Sequence, residues 1–185
     1  ITLPNTISSI EDYAFDTCVN LKEVGFSDTL TSIGFRAFSY CESLTSINLS
    51  DSISLINGGA FGKCSALSEV KLPKNLTKMN AHAFFDDDAL TSILIPKKLD
   101  TTDTTYIYQF AYDYQWGPFY GCDGLREVIF EEGTTKVARG LFANCPGLEE
   151  ITLPNTISSI EDYAFDTCVN LKEVGFSDTL TSIGF

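Results

Sequence analysis

The chain contains 185 residues, 44% of them hydrophobic and 20% charged, which is the composition of a globular protein rather than a disordered one. Twelve Lys and Arg residues stand against 25 Asp and Glu residues, giving a formal net charge of −13. Because phosphate backbones repel so acidic a chain, we expect no nucleic-acid partner. The single histidine argues against most acid–base and zinc sites, and no apolar run is long enough to span a membrane.

Internal repeats are the main feature of the sequence. Residues 1–35 recur without a change as residues 151–185, and a shorter period of 23 residues runs through the chain. The repeats occupy residues 1–23, 24–46, 47–69, 70–92, 93–127, 128–150 and 151–173, followed by a partial repeat at 174–185. The repeat at 93–127 carries a 12-residue insertion. The period predicts a single solenoid over residues 1–185, in which each repeat forms one coil.

Each repeat places apolar residues at fixed positions. In the first repeat these are Ile1, Leu3, Ile7, Ile10, Ala14, Phe15, Cys18 and Leu21. The run from Leu21 through Val24 to Phe26 has the L-x-x-L-x-L spacing of a leucine-rich-repeat strand with one buried face. We expect the second half of each repeat to return through a short strand and a turn. The predicted fold is a leucine-rich-repeat solenoid of short parallel β-strands in a right-handed coil, mostly β-structure and turns with little α-helix.

The full repeat pattern points to a known family. The motif L-P-x-x-[IL]-x-x-I-x-x-x-A-F-x-x-C-x-x-L begins at Leu3 and Pro4, reaches Cys18 and Leu21, and returns in the later repeats. It resembles the BspA-like leucine-rich repeats. That resemblance implies a cell-surface or secreted protein of anaerobic bacteria or mucosal protists. It also implies adhesion to host matrix or neighbouring cells through protein or glycan binding. Neither the motif nor the residues point to catalysis, a cofactor or a metal.

The duplication of 35 residues favours a fragment of a longer tandem array of 150-residue units, although deliberate construction would give the same sequence. An array of stacked coils would be a stiff, acidic rod. The alternative to an adhesin is therefore a structural stalk, spacer or filament. Such a protein would associate with itself end to end or laterally.

The insertion contains a regular aromatic pattern. On a strand, alternate residues point to one face. The aromatic residues at alternate positions are Tyr106, Tyr108, Phe110, Tyr112, Tyr114 and Trp116. One interpretation is a platform for a glycan or a partner protein, since Tyr and Trp combine a large ring with a polar group. The other is a flap that packs these rings against the flank of the solenoid.

A second candidate surface lies on the outward side of the strands. The outward position holds Thr2, Gly25, Asn48 and Lys71 in the first four repeats, but Leu94 and Ile129 in the next two. Two exposed apolar residues on neighbouring coils form a patch of the kind used for binding. We therefore expect Leu94 and Ile129 to contact a partner.

The remaining reactive side chains have structural interpretations. Stacked cysteines point the same way, so we expect buried thiols rather than disulfides or a metal site. The cysteines are Cys18, Cys41, Cys64, Cys122, Cys145 and Cys168. Asp87 replaces cysteine in one repeat and lies between Asp86 and Asp88. A solvated turn in which Asp87 caps local backbone amides is favoured there over a calcium site. His82 is expected to be an exposed turn residue.

Overall fold

The computed structural model describes residues 1–103 and 117–185. These residues form short strands joined by turns, with no helix and therefore none that could cross a membrane. The strands are β1 (Ser9–Ile10), β2 (Ser32–Ile33), β3 (Ser46–Asn48), β4 (Leu55–Ile56), β5 (Glu69–Lys71), β6 (Lys78–Asn80), β7 (Ser92–Ile95), β8 (Thr101–Asp103), β9 (Glu127–Phe130), β10 (Lys136–Val137), β11 (Glu150–Thr152), β12 (Ser159–Ile160), β13 (Glu173–Val174) and β14 (Ser182–Ile183).

The strands stack into two faces of a parallel solenoid, which confirms the predicted fold class. The first face contains a two-stranded sheet, β3–β5, and a four-stranded sheet in the order β7–β9–β11–β13. The second face contains a five-stranded sheet, β1–β2–β4–β6–β8, and a three-stranded sheet, β10–β12–β14. Equivalent residues of successive coils pair in register, as Ser9 does with Ser32 and Ile10 with Ile33. One coil alone leaves its strand unpaired, so the stack supplies the hydrogen bonds that each strand needs.

The stack of strands on the second face is divided between β8 and β10. There, β8 pairs with β6, and within the described residues it has no ladder with β10. The Thr102 hydroxyl instead donates a hydrogen bond to the Arg139 carbonyl. On the first face, β7 and β9 remain paired over four residues, from Ser92 with Glu127 to Ile95 with Phe130. The first face therefore continues past the insertion with its register intact.

A column of stacked phenylalanines forms the centre of the core. Phe61 is fully buried, and its ring lies 5.3 Å from those of Phe38 and Phe84, with interplanar angles of 2° and 13°. Phe119 continues the stack 5.2 Å beyond Phe84, and Phe142 lies 5.2 Å beyond Phe119. The stack follows from the repeat, because parallel strands about 4.8 Å apart bring equivalent rings to near-contact distance.

Candidate functional site

The candidate site lies on the outer side of the first face, where β7 and β9 carry apolar residues. On β7, Ile93 and Ile95 point into the core, whereas Leu94 is 55% exposed. On β9, Ile129 is 36% exposed and pairs in register with Leu94. The alternation of a strand with one buried face explains both exposures. The two side chains are neighbours on adjacent coils, and their role in binding stays a prediction.

An open groove of about 510 Å³ lies beside this pair. Its lining residues come from four strands and their preceding turns: Ser46, Ile47, Asn48, Ser68, Glu69, Val70, Lys71, Ser92, Ile93, Leu94 and Ile129. Among the described residues, no ladder joins β5 to β7, which belong to separate sheets. Val70 is accordingly only partly buried, whereas Ile47 and Ile93 at the equivalent positions are each 3% exposed. The repeat pattern does not predict this groove, because Val70 fits the repeat as well as any other residue at its position.

A row of carboxylates borders the groove. Glu127 pairs in register with Ser92 on one side and Glu150 on the other, and Glu69 holds the same repeat position on β5. Glu69 and Glu150 are exposed and Glu127 is half-buried. Within residues 1–103 and 117–185, none of these three carboxylates has a Lys or Arg within 4.0 Å. Lys71 also lines the groove, two residues from Glu69 on β5, and Lys172 interacts with Glu150 at longer range. The excess of negative charge therefore lies beside Ile129, at Glu127 and Glu150.

Glu149, one residue before Glu150, has a different environment. Its carboxylate lies 2.6 Å from the Lys172 ammonium and 3.8 Å from the Arg126 guanidinium. The hydrogen bond from Lys172 and its charge lower the pKa of Glu149. Glu149 therefore has two cations within 4.0 Å, whereas Glu69, Glu127 and Glu150 have none within that distance among the described residues.

The cysteine column is a structural element. As predicted, Cys41, Cys64, Cys122, Cys145 and Cys168 are buried free thiols, whereas Cys18 in the first coil is exposed. Each buried thiol donates a hydrogen bond to a phenylalanine carbonyl of the preceding coil, for example Cys64 to Phe38 at 3.2 Å. Burial raises the pKa of Cys41 to about 12 and that of Cys168 to about 11. These thiols stay protonated at neutral pH, so they are poor nucleophiles and metal ligands.

Asp87 occupies the cysteine position of its coil, and the prediction of a solvated turn there is wrong. Asp87 is fully buried, and its Oδ1 accepts a hydrogen bond of 2.7 Å from the backbone N–H of Cys64 in the preceding coil. Burial is the main cause that raises the pKa of Asp87. Its neighbours diverge, since Asp86 pairs with Lys63 at 3.6 Å and Asp88 accepts from the Asp123 N–H at 3.2 Å. No group of three potential metal ligands occurs among the described residues.

The prediction that His82 is exposed is also wrong. His82 does occupy a turn, with a φ of 62°, but it is only 7% exposed. Its ring lies 5.0 Å from that of Phe85 and 5.6 Å from that of Tyr120 in the next described coil. Burial, with a smaller contribution from the Arg36 charge, lowers the pKa of His82 to about 4. The rings of Phe85 and Tyr120 cover His82, whereas Tyr13 at the equivalent position contacts Phe35 edge-on and is 45% exposed.

A second, polar groove of about 580 Å³ crosses the turns on another side of the coils. Tyr40, Lys63 and Asp86 line it together with Asp88 and Asp123. The Tyr40 ring is already contacted by two cations, Arg36 at 5.6 Å and Lys63 at 5.4 Å from the ring centre. This groove offers fewer free apolar contacts than the groove beside Leu94.

The aromatic residues of the insertion lie outside the described residues. This applies to Tyr106, Tyr108, Phe110, Tyr112, Tyr114 and Trp116. The choice between a binding platform and a packed flap therefore stays open.

Comparisons with known proteins agree with the observed architecture. The model of the BspA-type leucine-rich repeat region matches residues 1–114 and 116–185, in six copies. A solved leucine-rich-repeat protein of T. pallidum, TpLRR, is 26% identical, with a TM-score of 0.73 over 94% of this chain and 78% of that chain. No curated protein matches the chain.

Two further solved structures share the fold. A leucine-rich-repeat protein from Bacteroides ovatus is 24% identical, with a TM-score of 0.60 over 100% of this chain and 56% of that chain. The pneumococcal vaccine antigen PcpA is also 24% identical, with a TM-score of 0.51 over 100% of this chain and 57% of that chain. The chain thus spans little more than half the length of these two proteins.

Proposed function

This chain belongs to the family of BspA-type leucine-rich-repeat proteins, and we propose that it is a non-enzymatic cell-surface or secreted protein that binds a protein partner. The partner lies on a host surface or a neighbouring cell, as the family resemblance implies. The observation that carries the proposal is the exposed, in-register pair Leu94 and Ile129 beside an open groove. Exposed apolar patches of this kind mark interaction sites on repeat solenoids.

The lining of the groove favours a protein over a glycan. Its apolar members are aliphatic, and none of its described lining residues is aromatic. Glycan rings stack best on aromatic faces, whereas aliphatic side chains suit the apolar side chains of a protein. Leu94 and Ile129 are partly exposed in the free chain, so covering each of them contributes about 1–2 kcal/mol to binding.

The proposal is tested by charging the apolar pair. Beads coated with the chain are scored for adhesion to epithelial monolayers and to plates coated with extracellular matrix. We expect the double variant Leu94→Asp, Ile129→Asp to adhere about tenfold less, because a buried carboxylate must be desolvated at the interface. The matched control is Val19→Asp, Val169→Asp, which charges two exposed apolar residues at a different repeat position. Adhesion of the Leu94/Ile129 variant equal to that of the control contradicts the proposal.

The aromatic stretch of the insertion is proposed as a second contact element, which extends the range of ligands to glycans. Replacing its six aromatic residues with serine is expected to weaken adhesion independently of the Leu94/Ile129 variant. If the six-residue variant instead loses thermal stability and keeps its adhesion, the stretch is a packed flap.

The second candidate function is a structural stalk or filament. The identity of residues 1–35 and 151–185 favours it, since tandem identical units build uniform rods. The net charge of −13 opposes lateral association of copies, and for this reason we place adhesion first. Negative-stain microscopy over a range of concentrations separates the two functions. Uniform single particles agree with adhesion, whereas filaments formed end to end or side by side favour the structural function.

A further inference from the structure

We infer that the segment of the partner that enters the groove is basic and extended, with Lys or Arg residues alternating with apolar ones on one face. This inference rests on the proposed function, because it names the partner of the same groove. It is carried by the juxtaposition of the Leu94–Ile129 pair with the carboxylate row Glu69, Glu127 and Glu150.

The first step concerns charge. The three carboxylates lack a Lys or Arg within 4.0 Å among the described residues, whereas nearby Glu149 is paired with Lys172 and Arg126. Lys71 offsets the charge of Glu69 in the groove lining, so the charge that a partner must compensate lies beside Ile129, at Glu127 and Glu150. An acidic partner segment would meet repulsion from this row, and covering the row without compensation would leave it desolvated. A basic segment provides the missing partners and is steered toward a chain of net charge −13.

The second step excludes a second copy of this chain as the occupant. A copy would bring the same net charge of −13 and the same carboxylates to the contact. Charges of like sign placed together at an interface disfavour association. The occupant is therefore a different protein.

The third step concerns spacing. Glu127 and Ile129 are two residues apart on β9 and point to the same side of the sheet. Alternate residues of a strand are about 6.6–6.8 Å apart. A second extended chain lying along β9 has the same spacing, so an apolar residue beside Ile129 places the side chain two positions away beside Glu127. The groove thus matches the pattern Lys-x-Leu in an extended segment.

The test uses three synthetic peptides with the wild-type chain. Three copies of Lys-Ser-Leu-Ser form the basic probe, three copies of Glu-Ser-Leu-Ser the acidic probe, and three copies of Lys-Ser-Ser-Ser the probe without apolar residues. Binding is measured by fluorescence anisotropy at low and high salt. We expect the basic apolar probe to bind about tenfold tighter than either of the other two at low salt, with the preference reduced at high salt.

The chain variants identify which carboxylates matter. Glu127→Gln, Glu150→Gln is expected to weaken binding of the basic apolar probe about tenfold. The matched control, Glu11→Gln, Glu161→Gln, removes the same charge next to β1 and β12 on the second face and is expected to change binding less than twofold. Equal effects of the two double variants overturn the inference, because the preference for a basic peptide would then reflect net charge alone.

The outcomes separate this inference from the proposed function. Equal binding of the basic and acidic probes, both abolished by Leu94→Asp, Ile129→Asp, overturns the basic partner and keeps the groove as a binding site. Binding of the basic apolar probe that the Leu94/Ile129 variant leaves unchanged overturns the groove itself.

Discussion

The coils at residues 47–69 and 70–92 pair in register, but at two buried positions the second coil has a carboxyl or imidazole group where the first has cysteine or glycine. In the first, Cys64 donates to the Phe38 carbonyl and Gly59 adopts the left-handed turn conformation, with a φ of 65°. In the second, Asp87 and His82 occupy these positions, and both are buried. Phe61 and Phe84 stack in both coils without interruption. The comparison shows that the aromatic column is kept in both coils. The thiol column and the turn, by contrast, accept an ionisable side chain without interrupting the stack.

The replacements lie next to the part of the chain that departs most from the repeat. The coil after 70–92 carries the insertion and the exposed Leu94, and its Tyr120 contacts His82. The regular 23-residue coils thus stabilise the fold. The sequence departs from the repeat in the coil at 93–127, where we propose that binding occurs. Three variants test this comparison, in order of decreasing expected effect.

Removing a ring from the aromatic column should be the most damaging change. Phe61→Ala takes away a fully buried side chain stacked on both sides, and we expect a loss of about 3–5 kcal/mol in the free energy of unfolding. Urea denaturation measures it. Phe176 is 54% exposed, so the control Phe176→Ala should lower the free energy of unfolding by less than about 1 kcal/mol. Similar losses for both variants would contradict a core centred on the aromatic column.

Restoring the thiol column should stabilise the coil at 70–92. Because the pKa of Asp87 is raised in the folded chain, the native state holds a proton that the unfolded chain releases above about pH 4. The free energy of unfolding of the wild type therefore falls as the pH rises above 4. We expect Asp87→Cys to gain about 1–3 kcal/mol relative to the wild type at pH 7, and less at pH 4.

The control for this variant is Asp28→Cys, which removes the same charge from an exposed position in another coil. Its stability should follow that of the wild type across the pH range. An Asp87→Cys gain that is equal at pH 4 and pH 7 would show that the carboxyl is not the source of the difference.

The His82 variant should have the smallest effect and the opposite pH dependence. The pKa of His82 is lowered to about 4 in the folded chain, against about 6.5 when unfolded. The unfolded state therefore binds a proton first, and stability falls as the pH drops from 6.5 toward 4. We expect the wild type to lose about 1–2 kcal/mol more than His82→Asn between pH 6.5 and pH 5. Asparagine tolerates the left-handed φ of 62° at this position.

His82 can also be followed directly. It is the only histidine in the sequence, so its ring protons in an NMR titration belong to one residue. A midpoint near pH 6.5 in the folded chain would show that the ring is solvated, and would contradict the burial described here.

The repeat pattern was sufficient to predict the coil, its parallel strands and the exposed side of β7 and β9. Alternation along a strand places Leu94 outward whatever its neighbours are, because the buried residues on either side determine its direction. The same argument would have identified Asp87 as buried, since it occupies the cysteine position of a buried column. The acidic run around it was the weaker signal and gave the wrong prediction.

Two other features depend on contacts that no single repeat contains. His82 is covered because Phe85 and Tyr120, from its own coil and the next one, both carry large rings. The groove beside Leu94 forms where β5 and β7 fall into separate sheets, although Val70 and Ile93 fit the repeat. Both features depend on which residues of neighbouring coils meet, and the spacing of residues within one repeat does not record those contacts.

The most direct test of the account is hydrogen exchange of the wild-type chain with and without the Lys-Ser-Leu-Ser peptide. The proposed site predicts added protection in β7 and β9, at residues 92–95 and 127–130, with smaller changes in β3 and β5. Protection confined to the aromatic stretch at residues 106–116, or to the second face, would contradict a binding site built around Leu94 and Ile129.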